Sequence, residues 1–372
     1  MRAACHRHDP LKFAQVTTDT PGAMFGPSRK PLVGLDIESG YIAAVEAEQG
    51  SVSVSRAAVA PLAPGVVRDG EVVDAAALTA ALRQLFAEHK LGKNVRVGLA
   101  NQRVVMRTID LPPLTDPKQI ASAVQFQAQD QIPMPLDQAV WEHQSLGLVG
   151  TADGPRARVA LVAARREMVE EIIRAVRDAG LKPAGVDLSA FALIRALYRA
   201  GDPDEPTAYL NVGNITNLAV ASGTQCLFTR VIPTGSEQMV TELSGRRGLT
   251  SEHAAGWLRH VGLVTPVEQL EGDTGIVETS RAVLFAGAAR IADEVRTTLN
   301  FYAAQENGVV ATRAIISGPA VAIPGLVDAI GARLGIPVET RTVDVADGVD
   351  LAGAGIGQLS VAAGLTAEEI AL

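Results

Sequence analysis

The stretch Leu35-Asp36-Ile37 returns later in the chain as Leu210-Asn211-Val212. This repeat restricts the available folds more than any other feature. Nine residues beyond Asp36 and Asn211 stand Val45 and Val220, each preceded by alanine. In both places an apolar run ends on a polar residue, a short polar turn follows, and a second apolar run returns, as in a β-hairpin. Further on, the apolar run 159–164, a helix and Gly180-Leu181-Lys182-Pro183 parallel the run 314–316, a helix and Gly335-Ile336-Pro337. A chain built twice from hairpin sheet, strand, helix and strand predicts two α/β lobes facing each other. Their hairpin turns, at Asp36 and Asn211, then point into one cleft.

The length agrees, because 372 residues exceed one ordinary core. Hydrophobic residues make up 47% and aromatic residues only 4%, so the cores are expected to be Val, Ile, Leu and Ala. A formal net charge of -8 argues against a uniformly basic nucleic-acid binder. Two cysteines, Cys5 and Cys226, make no disulfide framework and fit a reducing compartment. No apolar run reaches the roughly 18 residues that span a bilayer, and no apolar signal core opens the chain. A cytoplasmic protein is expected, reaching a membrane only through partners. Residues 1–30 lack apolar periodicity and read as a disordered tail. Met24 is a candidate native start, and Cys5, His6 and His8 lack fixed ligand geometry.

Strands are expected over 32–37, 41–48, 51–59, 95–99, 104–109 and 141–146, the last ending in a glycine-rich turn. Asp74 caps a helix that buries Leu78, Leu82, Leu85 and Phe86 and stops at Gly92. Asp116 opens a helix through Ile120, Val124 and Ala128, ended by Pro133 and Pro135. Asp187 is read as the cap of a helix with Phe191, Ile194 and Leu197. The run Gly-Asp-Pro-Asp-Glu-Pro at 201–206 blocks a helix and marks the lobe boundary. In the second lobe, strands are expected over 208–212, 218–222 and 225–231. The longest helix is expected over 280–307, with Leu284, Ala288, Ile291, Val295, Leu299 and Tyr302 at three-four spacing. Pro324 is read as the start of a helix ended by Gly335. The predicted division is a tail at 1–30, a first lobe at 31–200, a second lobe at 201–350, and a segment at 351–372 returning to the first lobe.

The two turns carry the chemistry. Backbone N–H groups of a Gly/Ser/Thr-rich turn can hold phosphate oxygens, and a carboxylate ending the preceding strand can hold hydrated Mg²⁺. An opposed carboxylate can orient an attacking water. Asp36 with Ser39 and Gly40, against Asn211 with Gly213, Asn214 and Thr216, has this layout. His89, His143, His253 and His260 show no ligand spacing, and Ser39 and Ser317 lack a His–Asp partner. Arg246-Arg247, at the end of a helix, reads as complementing its dipole.

Val33-Gly34-Leu35-Asp36-Ile37, its polar turn and Ala44-Val45-Glu46 resemble the first phosphate loop of the actin-like ATPase superfamily. Leu210-Asn211-Val212-Gly213 resembles the second, and Ile315-Ile316-Ser317-Gly318-Pro319 the adenosine motif. Further segments narrow the resemblance to the type IV pilus assembly protein PilM family over about residues 32–360. They are Gln125-Phe126-Gln127-Ala128 leading to Ile132-Pro133-Met134-Pro135-Leu136, then Leu161-Val162-Ala163-Ala164-Arg165, Ala179-Gly180-Leu181-Lys182-Pro183 and Ile323-Pro324-Gly325-Leu326. The resemblance implies an actin-like (ribonuclease H-like) duplicated two-lobe α/β fold. A small α+β subdomain is inserted in the first lobe, near 94–182. It implies ATP and Mg²⁺ in the cleft, with Asp36 as the metal ligand and Gly235, Gln238 and Gly318 near the nucleotide. It also implies a partner, the cytoplasmic N-terminus of an inner-membrane PilN-like protein. Pilus motor ATPases and a second copy of the chain stay open as further partners.

The loops depart from the family pattern. Glu38 takes a glycine's place and Ala43 a lysine's in the first loop; Asn211 replaces an aspartate in the second, and Pro319 a glycine in the adenosine motif. A carboxylate about 4 Å from a phosphate costs roughly 4 kcal/mol per unit charge pair at an effective dielectric near 20. An amide orients water but accepts no proton from it. Weak or absent ATP hydrolysis is therefore expected.

Overall fold

The structure, a computed structural model, describes residues 32–47, 52–151, 154–305, 307–351 and 354–367. The expected tail, with Cys5, His6, His8 and Met24, lies outside the described residues.

In the first lobe, β1 (Val33–Ile37), β2 (Tyr41–Ala47) and β3 (Val54–Pro61) form an antiparallel meander. A ribbon of β4 (Val67–Arg68) and β5 (Glu71–Val72) leads to α1 (Ala75–His89), capped by the Asp74 side chain, which accepts from Ala77 N at 2.9 Å. β6 (Asn94–Leu99) lies parallel to β1. The chain then leaves this sheet. β7 (Val105–Leu111), β8 (Ala139–Thr151) and β9 (Gly154–Arg165) make a separate sheet in the order β7-β9-β8. Between β7 and β8 lies α2 (Pro117–Gln131), which packs on the separate sheet through Ile120, Val124 and Ala128. α3 (Arg166–Asp178) and β10 (Lys182–Leu188) return, and β10 pairs parallel to β6. The stretch 94–182 thus contributes to two sheets. α4 (Ser189–Leu197) leads to the lobe crossing.

The second lobe repeats the scheme. β11 (Thr207–Val212), β12 (Thr216–Ser222) and β13 (Gln225–Ile232) form the meander. α5 (Ser236–Arg247), α6 (Ser251–Val261) and α7 (Thr274–Ala303) follow. β14 (Arg313–Ser317) lies parallel to β11, and α8 (Leu326–Leu334) leads to β15 (Val338–Thr340), parallel to β14. The order β13-β12-β11-β14-β15 matches β3-β2-β1-β6-β10 strand for strand, with the same directions. The duplication holds, but one expected match shifts: the counterpart of β14 is β6, not the run 159–164. That run lies in β9, in the separate sheet. Both runs are short, apolar and followed by a helix, so the sequence pattern does not separate them.

Alternation along each strand sends side chains to two layers. Leu35, Ile42 and Ala44 meet Leu82 of α1 and Ile173 of α3, whereas Ala43 and Val45 meet α4 and α9 (Ser360–Thr366). In the second sheet, Leu210 and Ile316 face α5 to α8, while Tyr209, Ala219 and Ile315 join the α4–α9 layer. The two helices therefore lie between the sheets and belong to both lobes. A Cβ on Gly34 would stand 1.8 Å from Ala362 O, so β1 and α9 approach backbone to backbone.

The lobe crossing is pinned by charge. Arg341, 8% exposed, holds Asp202 at 2.6 Å and Glu339 at 2.7 Å, and donates to Leu197 O at 2.8 Å. The Arg341 hydrogen bonds lower the Asp202 carboxyl to about 2. Arg199 pairs with Asp344 at 2.9 Å nearby.

Several local expectations change. Lys90, at φ 51°, ends α1 in place of Gly92. Asp187 is the penultimate residue of β10 and does not cap α4; its Oδ1 accepts from Leu188 N and its Oδ2 pairs with Arg195. α7 begins earlier than expected because Asp273 caps it through Ile276 N at 2.8 Å, and it stops at Ala303. A bulge between Ser145 and Gly147 carries β8 past the glycine turn to Thr151. α8 starts at Leu326, after Gly325 in the left-handed region, not at Pro324.

Candidate functional site

The hairpin turns stand at the ends of β1 and β11. Glu38 N donates to Tyr41 O at 2.9 Å and closes the first over Ser39 and Gly40; Gly213 N donates to Ile215 O at 3.0 Å in the second. The turns touch, since a Cβ on Gly40 would lie 2.7 Å from Asn214 Nδ2. Asn214 is held from behind by Ser236, whose Oγ donates to Asn214 Oδ1 at 3.2 Å. Ser236 N also reaches Gly213 O at 2.8 Å, fastening the start of α5 to the second turn. A Cβ on Gly235 would meet Gly213 O at 2.4 Å, so this junction admits glycine alone.

A cavity of about 420 Å³ opens beside the contact. The first lobe supplies Gly40, Tyr41, Val59 and Pro61. The second supplies Asn214, Ser236, Val240, Ala255, Leu258, Arg259, Pro319, Ala320 and Ile323; Ala354 and Gln358 complete the wall. The wall is mainly aliphatic, with Arg259 as a positive charge and Asn214 and Gln358 as amides.

The turn end of the cleft is acidic. Asp36 and Glu38 are 3% and 6% exposed, and Asp36 Oδ2 has no hydrogen-bond partner. Burial pushes the Asp36 carboxyl up to about 7. Burial raises Glu38 well above the usual carboxylate range, and the charges of Asp36 and Glu237 add to this. The Tyr41 phenol is raised by burial and then by Glu38 and Asp36. Glu237, in the first turn of α5, accepts from Ser39 Oγ at 3.4 Å. Three carboxylates therefore gather where the turns meet. Among the described residues no group of three His, Cys, Asp or Glu side chains is arranged to hold a metal ion.

Of the residues singled out from sequence, Gly40 and Asn214 line the cavity. Asp36 and Asn211 are buried at their strand ends. Gly318, at φ 103°, approaches Asn211, and its neighbour Pro319 forms part of the wall. Thr216, fully buried, donates to Thr234 O at 2.6 Å, and Gln238 donates to Pro233 O at 2.8 Å; both hydrogen bonds stay within the second lobe. Ala43, in the place of the expected lysine, is buried in the shared helix layer. Sequence reading missed Tyr41, Val240, Leu258, Arg259 and Gln358 in the wall. Val240 and Leu258 look like any helix-core position and carry no separate signal. Glu237 was detectable as an acid directly after the Gly235-Ser236 junction.

The chain belongs to the type IV pilus assembly protein PilM family, whose description it matches over residues 34–359. Among solved structures, one described as the PilM-PilN type IV pilus biogenesis complex is similar at 24% identity and TM-score 0.74, covering 91% of this chain and 98% of that one. The ethanolamine utilization protein EutJ from Carboxydothermus hydrogenoformans is similar at 15% identity and TM-score 0.53, covering 96% and 93%. MreB5 of Spiroplasma citri, bound to ADP, is similar at 12% identity and TM-score 0.53, covering 91% and 95%. These likenesses establish the actin-like two-lobe fold. Among the described residues, no helix is long and apolar enough to cross a membrane.

Proposed function

We propose that this member of the PilM family is a cytoplasmic scaffold of type IV pilus assembly. It holds the N-terminal peptide of an inner-membrane PilN-like protein in a groove between the first lobe and the β7–β9 sheet, and its cleft is a degenerate ATP site. The family match over residues 34–359 carries the reading. The similar PilM-PilN complex supports the partner, and that partner supplies the attachment to the inner membrane. Pilus motor ATPases and a second copy of the chain fit the same assembly as further partners.

The geometry supports binding over turnover. The aliphatic wall with Arg259 suits the base and sugar of a nucleotide, such as the ADP held by the MreB5 relative. The residues at the turn end do not fit a polyphosphate: the acids Asp36, Glu38 and Glu237 gather there and Ala43 offers no lysine. Asp36, with its unpartnered Oδ2, is the group that would hold Mg²⁺. Asn211 supplies no carboxylate opposite it. The pinned crossing at Arg341 and Asp202 also suits a rigid platform.

Thermal unfolding with and without the synthetic N-terminal peptide of the PilN-like protein tests the scaffold reading. A saturating peptide raises Tm by mass action, and an unchanged Tm at saturation counts against it. Phosphate release from ATP well above that of a cleft variant would favour an active, FtsA-like ATPase.

A further inference from the structure

The chain is acidic overall, yet one end of its first lobe carries basic side chains that pair with no acid among the described residues. Lys90 follows α1, Lys93 precedes β6 and Lys182 opens β10; all three are exposed. Backbone contacts gather them. Lys182 N donates to Lys93 O at 2.7 Å, and Arg56 donates to both His89 O and Lys90 O at 2.8 and 3.1 Å. The C-terminal end of α3 lies alongside, because Arg83 of α1 donates to Asp178 O at 2.8 Å and Thr79 to Ala175 O at 3.3 Å. Exposed Arg177 sits on that last turn. These elements lie at the starts of the parallel strands β6 and β10, the end of the sheet away from the hairpin turn.

Cations at helix C-termini commonly serve to satisfy the final carbonyls and the helix dipole. Here Arg56 and Arg83 already do so, bonding the His89, Lys90 and Asp178 carbonyls. The three lysines are left without that task. Elsewhere arginines are tied to acids, as in Arg246–Glu242, Arg247–Asp273, Arg290–Glu242 and Arg333–Asp293. At the lysine end the acids among the described residues include Asp178, Glu88 and Glu46; Glu88 accepts from Gln84, and Glu46 is neutralised by Arg56 at 3.2 Å while accepting from Gly92 N.

We propose that this end of the first lobe, with Lys90, Lys93, Lys182 and Arg177, is an electrostatic contact for the anionic phospholipid headgroups of a membrane. Flexible lysine ammoniums on loop and strand ends suit a flat, diffuse negative surface. Among the described residues the patch presents no exposed Phe, Tyr or Trp ring for base stacking and no free helix to enter a groove, so nucleic acid fits it poorly. The contact adds to attachment through a membrane partner and orients the cleft and hairpin turns away from the bilayer. It stands on the charge distribution alone and survives if the partner reading fails.

The test is sedimentation of the full chain with vesicles of phosphatidylcholine containing phosphatidylglycerol, against phosphatidylcholine alone. The chain should pellet with the anionic vesicles only, and added salt should release it. Each of Lys90→Gln, Lys93→Gln and Lys182→Gln should lower the partition coefficient about fivefold, the equivalent of about 1 kcal/mol per basic residue. Lys118→Gln, on α2, should change nothing. All are exposed, and unchanged thermal melting confirms that each variant folds. No binding to anionic vesicles, equal binding to neutral ones, or an undiminished triple variant would overturn the proposal. Tighter binding to an oligonucleotide than to the vesicles would reassign the patch and overturn it too.

Discussion

Gly40 and Asn214 face each other across the cleft so closely that a methyl group on the glycine would stand 2.7 Å from the asparagine Nδ2. The turns of the two lobes thus set each other's position. The neighbouring glycine is more constrained still. At Gly235 a Cβ would meet two backbone oxygens, Gly213 O at 2.4 Å and Asn214 O at 2.5 Å. Gly40→Ala displaces only the end of a side chain, whereas Gly235→Ala must move backbone. Gly235→Ala should cost roughly 1–3 kcal/mol and Gly40→Ala distinctly less. Denaturant unfolding of the two variants checks the order.

Asp36 gives a pH signature. Folded, its carboxyl holds the proton up to about pH 7; its ordinary value is 3.8. Between those values unfolding releases a proton. Its contribution to stability is therefore fully present below about pH 4 and lost as pH rises through about 7. The loss is on the order of 4 kcal/mol. Asp36→Asn should match the parent near pH 4 and exceed it increasingly toward pH 8. A gap that does not widen across this range contradicts the buried, unpartnered carboxyl.

Asp202 shows the opposite sign. Its carboxyl is lowered to about 2 by Arg341, so its contribution is present above its ordinary value of 3.8 and lost as pH falls through about 2. Arg341→Ala should cost about 1–3 kcal/mol near neutral pH, because it removes the main partner of Asp202 and leaves Arg313 at 3.3 Å as its remaining cation. The variant should also lose less stability on acidification than the parent. Arg333→Ala, which breaks an exposed pair with Asp293, should leave Tm within error.

Glu38 is the residue that most opposes phosphate. Burial raises the Glu38 carboxyl well above the usual range, so Glu38→Gly should strengthen ATP binding mainly at alkaline pH, where Glu38 is ionised and repels phosphate. Glu237→Gln should help less, because Glu237 is exposed and screened by water. Equilibrium binding of labelled ATP checks both. Unchanged affinity in Glu38→Gly at alkaline pH would remove this residue from the explanation.

Much of this architecture was legible in the sequence because hairpins and caps are local. The repeat of Asp36 and Asn211 located both turns, and Asp74 and Asp116 cap their helices as their spacing implied. Longer-range competition misled the reading. Asp187 looks like a cap, but Arg195 claims one of its oxygens. The run 159–164 looks like a core strand of the large sheet because the separate sheet buries its strands too. The cavity wall was least visible, since Val240 and Leu258 follow the same helical spacing as the core.

The most direct test of the scaffold account is a calorimetric titration of the chain, freed of nucleotide, with the N-terminal peptide of its PilN-like partner. The account predicts saturable one-to-one binding that persists without ATP. An absence of binding at peptide concentrations far above the protein's, or binding that appears only while ATP is hydrolysed, would contradict it.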